Sequence, residues 1–342
     1  MVLPMTVNDF IAQWNDDSDT VEVHTSGSTG DPKVMRVEKR RMLASARATC
    51  DFLGLRAGDT ALLCMSVDYI AGKMMVVRSI ERGMKLLAVE PSSHPLAVPE
   101  IFDEMGKNVD FAAMVPLQVY SSLQVPRERE LLGNIRHLII GGGPLDASLE
   151  RELQGFDNAI WHSYGMTETL SHIALRRVSG PGASPWFTPL PGITVSTAED
   201  HCLVIDAPHL CSGRLVTRDV VEMSDNDDIQ QFKVLGRIDN VINSGGIKVH
   251  TEQVEKELAP HVSRPFLITK CPDSKFGEIV VMLLQGSSAD IPLAREACEH
   301  YLDRYARPKH ILAVPFLPMT PTGKPARAQA AELAFRALKS KN

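Results

Sequence analysis

Between Thr60 and Tyr164 the chain alternates short apolar, β-rich runs with helix-length stretches. The runs "ALLCM" (61–65), "KLLAV" (85–89), "DFAAMVP" (110–116), "RHLIIGG" (136–142) and "AIWHSYG" (159–165) predict strands. Strands separated by helices form βαβ units, which implies a largely parallel sheet with ligands gathered at the carboxyl ends of its strands. Upstream, "TVEV" (20–23) reads as the end of a strand. Met42, Ala46, Cys50 and Leu53 then recur at steps of four, four and three, marking the buried face of a helix that begins near Val37. The polar stretch "HTSGSTGDPK" (24–33) between them is expected to be a loop joining strand to helix.

The texture changes after residue 170. "PGASPWFTPLPG" (181–192) is a proline- and glycine-rich connection, and the strand-like pieces in "VSTAEDHCLVIDAP" and "GRLVTRD" predict a small β subdomain. A second change falls at "VLGRIDNVINSGG" (234–246). Beyond it come a helix near "TEQVEKELA", two strands in "PFLITKCPDSKFGEIVVMLLQG", a helix from Leu293 and a last helix from Pro325. The expected class is α/β. A large N-terminal domain (1–238) carries the mostly parallel sheet and the β subdomain, and a small, mobile α+β domain (239–342) follows. No internal repeat or low-complexity segment interrupts this order.

Composition narrows the partners. The 342 residues are 44% hydrophobic and 23% charged, close to the globular norm of about 45–50% and 25%. No apolar run approaches the roughly 20 residues a spanning helix needs, so no membrane insertion is expected. The start "MVLPMTVNDF" lacks a basic segment followed by an apolar one, and cysteines 50, 64, 202, 211, 271 and 298 form no C-x-x-C pair. Both features lead to the expectation of a cytoplasmic protein with reduced core cysteines. A net charge of −6 argues against nucleic acid as a partner. The oligomeric state is left open.

The candidate chemistry begins in the loop. Thr25, Ser26, Gly27, Ser28, Thr29, Gly30 and Lys33 combine backbone freedom, hydroxyl donors and a cation, a set suited to phosphate. The spacing is not that of a Walker A loop. Five further stretches accompany it in order: "GGGPL" (141–145), "SYGMTET" (163–169), "VTRD" (216–219), "GRIDNVINSGGIKV" (236–249) and "PTGK" (321–324). Together they resemble the adenylate-forming superfamily of acyl-CoA synthetases, adenylation domains and luciferases, over nearly the whole chain. Members activate a carboxylate with ATP to an acyl-adenylate and pyrophosphate, then usually pass the acyl group to a thiol. Negative charge gathers on every reacting part, so preorganised donors and a metal are the expected devices.

The resemblance implies roles residue by residue. The loop from Thr25 to Lys33 would wrap the β- and γ-phosphates. Gly141, Gly142, Gly143 and Pro144 would form a flat platform beside adenine, and Tyr164 would stack on it. Thr167 would bond the α-phosphate and Glu168 would bind Mg²⁺. Asp219 would hold the ribose hydroxyls, although Arg218 stands where the family usually has glycine, and Arg237 would reach the ribose or α-phosphate. Asp239 matches the hinge about which the C-terminal domain swings between two poses. In one pose Lys324 would bridge carboxylate and α-phosphate; in the other, Gly245, Gly246 and Lys248 would line the route of the CoA pantetheine thiol. His24, His162 and His172 flank these motifs without a metal or triad spacing, and read as pocket-lining or core residues.

Only 23 residues precede His24, far fewer than the family usually carries, which leads to the expectation of a compact version. Within the family the chain looks most like the compact bacterial o-succinylbenzoate–CoA ligases of menaquinone biosynthesis. Their acid has a second carboxylate, so a cation is expected in the acid pocket: Arg78 first, Lys73 second, with Tyr69, Ser171 and His172 as neighbours. The implied substrates are a small-molecule acid, ATP with Mg²⁺, and CoA. Other acyl or aryl acids, a carrier protein as acceptor, and a non-catalytic nucleotide-binding relative remain open alternatives.

Overall fold

The computed structural model describes residues 5–24, 34–98, 109–225, 230–319 and 325–339. After a helix (Val7–Trp14) that buries Phe10 and Trp14, β1 (Thr20–His24) and β2 (Val34–Glu38) pair antiparallel, with Val21 opposite Val37. The segment read as the start of a helix near Val37 is therefore first a strand, and the helix spans Lys39–Leu53. Val37 is buried as a strand residue against Val21, while Met42, Ala46, Cys50 and Leu53 form the buried helical face that the spacing predicts. The polar loop 25–33 thus lies between two strands, and its own residues are outside those described.

The main sheet holds β3 (Thr60–Leu63), β4 (Lys85–Ala88), β5 (Val109–Met114), β6 (Ile135–Ile140), β7 (Ala159–Gly165), β8 (His172–Arg177) and β9 (Thr188–Pro189). Their order is β4-β3-β5-β6-β7-β8-β9; the first five are parallel, and β8 and β9 run antiparallel at one side. This is the expected βαβ sheet. Alternate residues serve opposite faces. Ala61, Leu63, Phe111, Ala113 and Ile139 join one apolar cluster with helices Lys39–Leu53 and Ile70–Arg82. Leu62, Ala112, Met114, Leu138 and Ile140 join another with helices Pro116–Leu123, Pro126–Gly133 and Ala147–Leu153.

A second, antiparallel sheet follows as β10 (Thr194–Thr197), β11 (Cys202–Asp206), β12 (Leu215–Met223) and β13 (Phe232–Arg237). Val195, Leu203, Ile205, Val221 and Phe232 pack into the first cluster, so this sheet shares a core with the large one. The third sheet comprises β14 (Val241–Ser244), β15 (Ile247–His250), β16 (Phe266–Asp273), β17 (Gly277–Gln285) and β18 (His310–Val314), in the order β15-β14-β17-β16 with β18 parallel to β17. Helices Thr251–Leu258 and Ile291–Tyr301 contribute to one apolar cluster around it, and Arg327–Lys339 to another. Both clusters contain only residues from Ile242 onward. The last helix starts two residues later than its sequence indicates, because Pro325 forms an antiparallel bridge with Met319.

All six cysteines are free and buried. No helix among the described residues is long and apolar enough to cross a membrane.

One contact fixes the helix Ile70–Arg82 to the end of β3. A Cβ on Gly72 would stand 2.2 Å from the Ser66 carbonyl oxygen and 2.9 Å from that of Met65, both backbone atoms. Gly72→Ala is expected to cost about 1–3 kcal/mol, because backbone cannot yield as a flexible side chain can. Urea unfolding checks this; an unchanged midpoint would show that the 65–66 turn gives way freely.

Candidate active site

The glycine platform and the Tyr164–Thr169 stretch lie at the carboxyl ends of the parallel strands β6 and β7. β6 runs into Gly141–Gly143, where Gly142 adopts φ +82°. A Cβ on Gly141 would meet the Ser163 hydroxyl at 2.6 Å, so the platform packs close to β7 and Ser163 would have to turn aside to admit a side chain. Gly165 is tighter still: a Cβ there would lie 2.3 Å from the Ser171 carbonyl oxygen and 2.4 Å from His172 Cα. Immediately after it, Thr167–Thr169 form a 3₁₀ turn. The Met166 N–H donates to the Thr169 hydroxyl at 3.1 Å, and the Leu170 N–H donates to the Thr167 carbonyl at 2.9 Å. Leu170 pays for this reversal with φ +67°. Glu168 is left exposed and makes no ion pair among the described residues.

Tyr164 ties this region to the second sheet. Its hydroxyl donates to Asp219 Oδ2 at 2.6 Å, and its ring packs edge-on to Phe232 (5.2 Å) and against Phe187 (5.9 Å). Burial, together with the Asp219 charge and bond, pushes the Tyr164 hydroxyl well above its ordinary pKa, so it stays a donor. Asp219 faces Arg237 across the β12–β13 pair, and Arg237 Nη1 reaches Asp219 Oδ1 at 3.5 Å. The same guanidinium donates through Nη2 to Asp239 Oδ2 at 3.3 Å. Of the residues foreseen for adenine, ribose and hinge, Tyr164, Asp219, Arg237 and Asp239 thus form one contiguous group.

A buried network anchors the glycine platform. Arg176, on β8, makes a bidentate pair with Glu150 at 2.7 and 3.0 Å and donates through Nε to His162 Nδ1 at 3.2 Å. Because Nδ1 accepts, the proton sits on Nε2, which donates to the Gly143 carbonyl at 3.1 Å. Burial, reinforced by the Arg176 charge, pulls His162 down to about 4 and keeps it neutral. Burial acts to raise Glu150, but the Arg176 bond and charge outweigh it and hold the carboxyl below its usual range. Lys256, on helix Thr251–Leu258, adds to that lowering. The sequence marks His162 as a pocket-lining or core residue and does not single out Glu150 or Arg176. The pair is 26 residues apart in sequence, and no local pattern signals it.

A second buried group surrounds Arg78. Its Nη2 donates to the Ser171 hydroxyl at 2.7 Å, while its Nε has no partner despite complete burial of that atom. Thr49 donates to the Ser45 carbonyl at 3.1 Å, so His172 Nε2–H must donate to Thr49 Oγ1 at 3.0 Å. His172 Nδ1 is then left as the acceptor for Ser171, at 3.4 Å. Burial and the nearby Arg78 charge hold His172 far below its ordinary pKa. Arg78 itself is pulled down to about 10 by burial, with no carboxylate beside it among the described residues.

Not every foreseen residue joins these groups. Lys73, on the same helix as Arg78, points to the N-terminal helix, with Nζ 3.5 Å from Met5 Sδ and 4.8 Å from the Phe10 ring centre. Tyr69 precedes that helix and is exposed. Gly245 and Gly246 (φ +61° and +87°) make the β14–β15 turn, and Lys248 is exposed on β15. Thr25, Ser26, Gly27, Ser28, Thr29, Gly30, Lys33 and Lys324 lie outside the described residues. No cluster of three or more His, Cys, Asp or Glu among the described residues could by itself hold a metal ion.

The fold is α/β, with a tyrosine, a carboxylate and an arginine converging where the parallel sheet meets its antiparallel companion. The chain belongs to the family of AMP-binding enzymes, whose model matches residues 10–216. Among curated proteins it is similar to the 2-succinylbenzoate–CoA ligase of Enterococcus faecalis, with 24% identity over 89% of this chain and 67% of that one. It is also similar to a long-chain-fatty-acid–CoA ligase of Mycobacterium tuberculosis, with 25% identity over 88% of this chain and 65% of that one. Among solved structures, an acyl-CoA synthetase (AMP-forming)/AMP-acid ligase II-like protein from Dyadobacter fermentans matches with 33% identity and a TM-score of 0.64. That match covers 94% of this chain and 91% of the other.

The neutral state of His162 has a pH signature. A histidine whose pKa falls from 6.5 to about 4 on folding contributes stability above pH 6.5 that drains away as pH drops toward 4. Between pH 7 and pH 5 this is worth about 2 kcal/mol. His162→Gln, which can still accept from Arg176 and donate to Gly143, is expected to remove that part of the pH dependence in denaturant titrations at the two pH values. Parallel curves for the variant and the unchanged chain would refute the assignment.

Proposed function

We propose that the chain is an ATP-dependent acid–thiol ligase whose acid carries a second anionic group, with o-succinylbenzoate the leading candidate. The observation that carries this reading is Arg78: a guanidinium 3% exposed, whose Nε has no partner and which has no carboxylate beside it among the described residues. A buried charge without a counter-ion is costly, and an anionic ligand relieves that cost. Arg78 meets Ser171, one residue beyond Leu170 and the turn that carries Thr167 and Glu168, so an acid paired with it would lie beside the reacting phosphate. Similarity to a 2-succinylbenzoate–CoA ligase supports the dicarboxylic acid. Similarity to a fatty-acid–CoA ligase keeps a monocarboxylic one as the reading to be tested against it.

In this proposal the adenine lies between the Gly141–Pro144 platform and Tyr164, Asp219 accepts from the ribose hydroxyls, and Arg237 and Thr167 bind the α-phosphate. Glu168 fits a magnesium ion that arrives with the nucleotide, since Mg²⁺ typically takes one or two carboxylates and completes its shell with phosphates and water. The ion would neutralise charge on the departing pyrophosphate. Lys33 and its loop would hold the β- and γ-phosphates. Residues 1–238 and 239–342 act as two domains hinged at Asp239. Lys324 serves adenylate formation, and the Gly245–Lys248 turn serves entry of the CoA thiol.

Two measurements test this. Arg78→Met is expected to lower kcat/KM for o-succinylbenzoate about 10- to 150-fold, the value of a hydrogen-bonded charge, while leaving a benzoate-type acid without the second carboxylate nearly unaffected. Equal losses for both acids would sink the dianionic reading. Lys324→Ala is expected to lose acid-dependent pyrophosphate release by orders of magnitude yet still convert supplied acyl-adenylate to thioester; matching losses in both half-reactions would contradict the division of labour.

A further inference from the structure

The 3₁₀ turn Ile238–Asn240, closed by the Val241 N–H on the Ile238 carbonyl, is the covalent passage from β13 to β14. Its two polar side chains are anchored on opposite sides. Asn240 donates to Glu252 at the start of helix Thr251–Leu258, and Glu252 also accepts from Thr251 at 2.8 Å. Asp239 is held from the other direction, by β12 and β13. Arg218 grips it with two parallel bonds, Nε to Oδ2 at 2.7 Å and Nη2 to Oδ1, and Arg237 adds a third at 3.3 Å. The change of anchorage therefore falls between residues 239 and 240.

Strand alternation explains how Arg218 comes to do this. Asp219 is half-buried and faces Tyr164, so its neighbour Arg218 projects to the opposite, exposed side of β12. There it finds Asp239, and the more distant charge of Asp200 adds to the attraction. The Arg218 bonds and charge hold the Asp239 carboxyl below its usual range. A bidentate guanidinium–carboxylate pair fixes direction as well as distance, which a lysine cannot reproduce.

We propose that Arg218 is a positioning residue that latches the 238–240 turn, and that its release from Asp239 is a required step when residues 240–342 rotate. The latch rests on the two-pose ligase reading for its catalytic meaning, but not for its existence. With Arg218 engaged, Arg237 can lean toward Asp219 and the ribose side; with Arg218 gone, Asp239 draws on Arg237 alone. The pair is solvent-exposed, so salt weakens it, and its effect is a shift of balance rather than an on–off switch.

The experiment compares the unchanged chain with Arg218→Ala and Arg218→Lys. Hydrogen–deuterium exchange at the Val241 amide is expected to quicken about two- to fivefold in Arg218→Ala at low ionic strength, the range of an exposed ion pair, with Arg218→Lys in between. Added salt should bring the unchanged chain toward the alanine variant. Exchange along residues 215–223 should stay the same, which separates a lost latch from a damaged strand. The catalytic readout is the pair of half-reactions with o-succinylbenzoate: loss of the latch should slow one and speed the other. Unaltered exchange at Val241, faster exchange throughout β12, or half-reactions that fall together would each overturn the latch. Should the unchanged chain catalyse neither half-reaction with any acid, the ligase reading fails while the exchange measurement still decides the latch.

Discussion

The bond from the Tyr164 hydroxyl to Asp219 joins the two sheets at the point where the chemistry gathers. It spans 55 residues of sequence and lies over the stacked rings of Phe187 and Phe232, which seal the junction from beneath. It adds a polar tie to the shared apolar core and to the Phe187–Phe232 backbone bridge, linking the strands that carry the glycine platform and the Thr167 turn to those that carry Arg237. A largely buried hydroxyl given to a carboxylate is strong because few waters compete for it. From Asp219 the connection continues through Arg237 to Asp239, so the junction of the first two sheets and the turn leading to the third share one run of alternating charge.

Much of this was legible in the sequence, and the reasons differ by element. The five parallel strands announced themselves because each is an apolar run bounded by helix-length segments, a signal that depends only on neighbours in the chain. β2 did not. Its five residues abut the following helix without a break, and Val37 serves a strand while Met42 serves a helical face. Only pairing with β1 decides between the two periods, and pairing is not a local property. Tyr164, Asp219, Arg237 and Asp239 were found because their motifs occur in order, and the structure draws them together.

What the sequence hid are the contacts that hold these residues in place. Glu150, Arg176 and His162 look like an ordinary helix acid, an ordinary strand base and a flanking histidine. Their value lies in a buried arrangement that fixes one tautomer and aims it at Gly143. Arg78 presents the converse case: the residue is visible in the sequence, but its isolation from any carboxylate among the described residues is not. Arg218 was noticed only as a departure from a glycine, with no hint of what it grips. Motifs single out candidate residues; the arrangement that orients them becomes visible only once the chain is folded.

The cysteines offer a practical consequence. All six are sealed in the core, and burial makes them poor acids, raising Cys50, Cys202 and Cys298 to about 11 and Cys64 to about 12. Thiol reagents attack the thiolate, so the folded chain is nearly blind to maleimides at neutral pH. Two surface cysteines introduced on either side of residue 239 would then take a fluorophore pair selectively, with every native sulfur left in place.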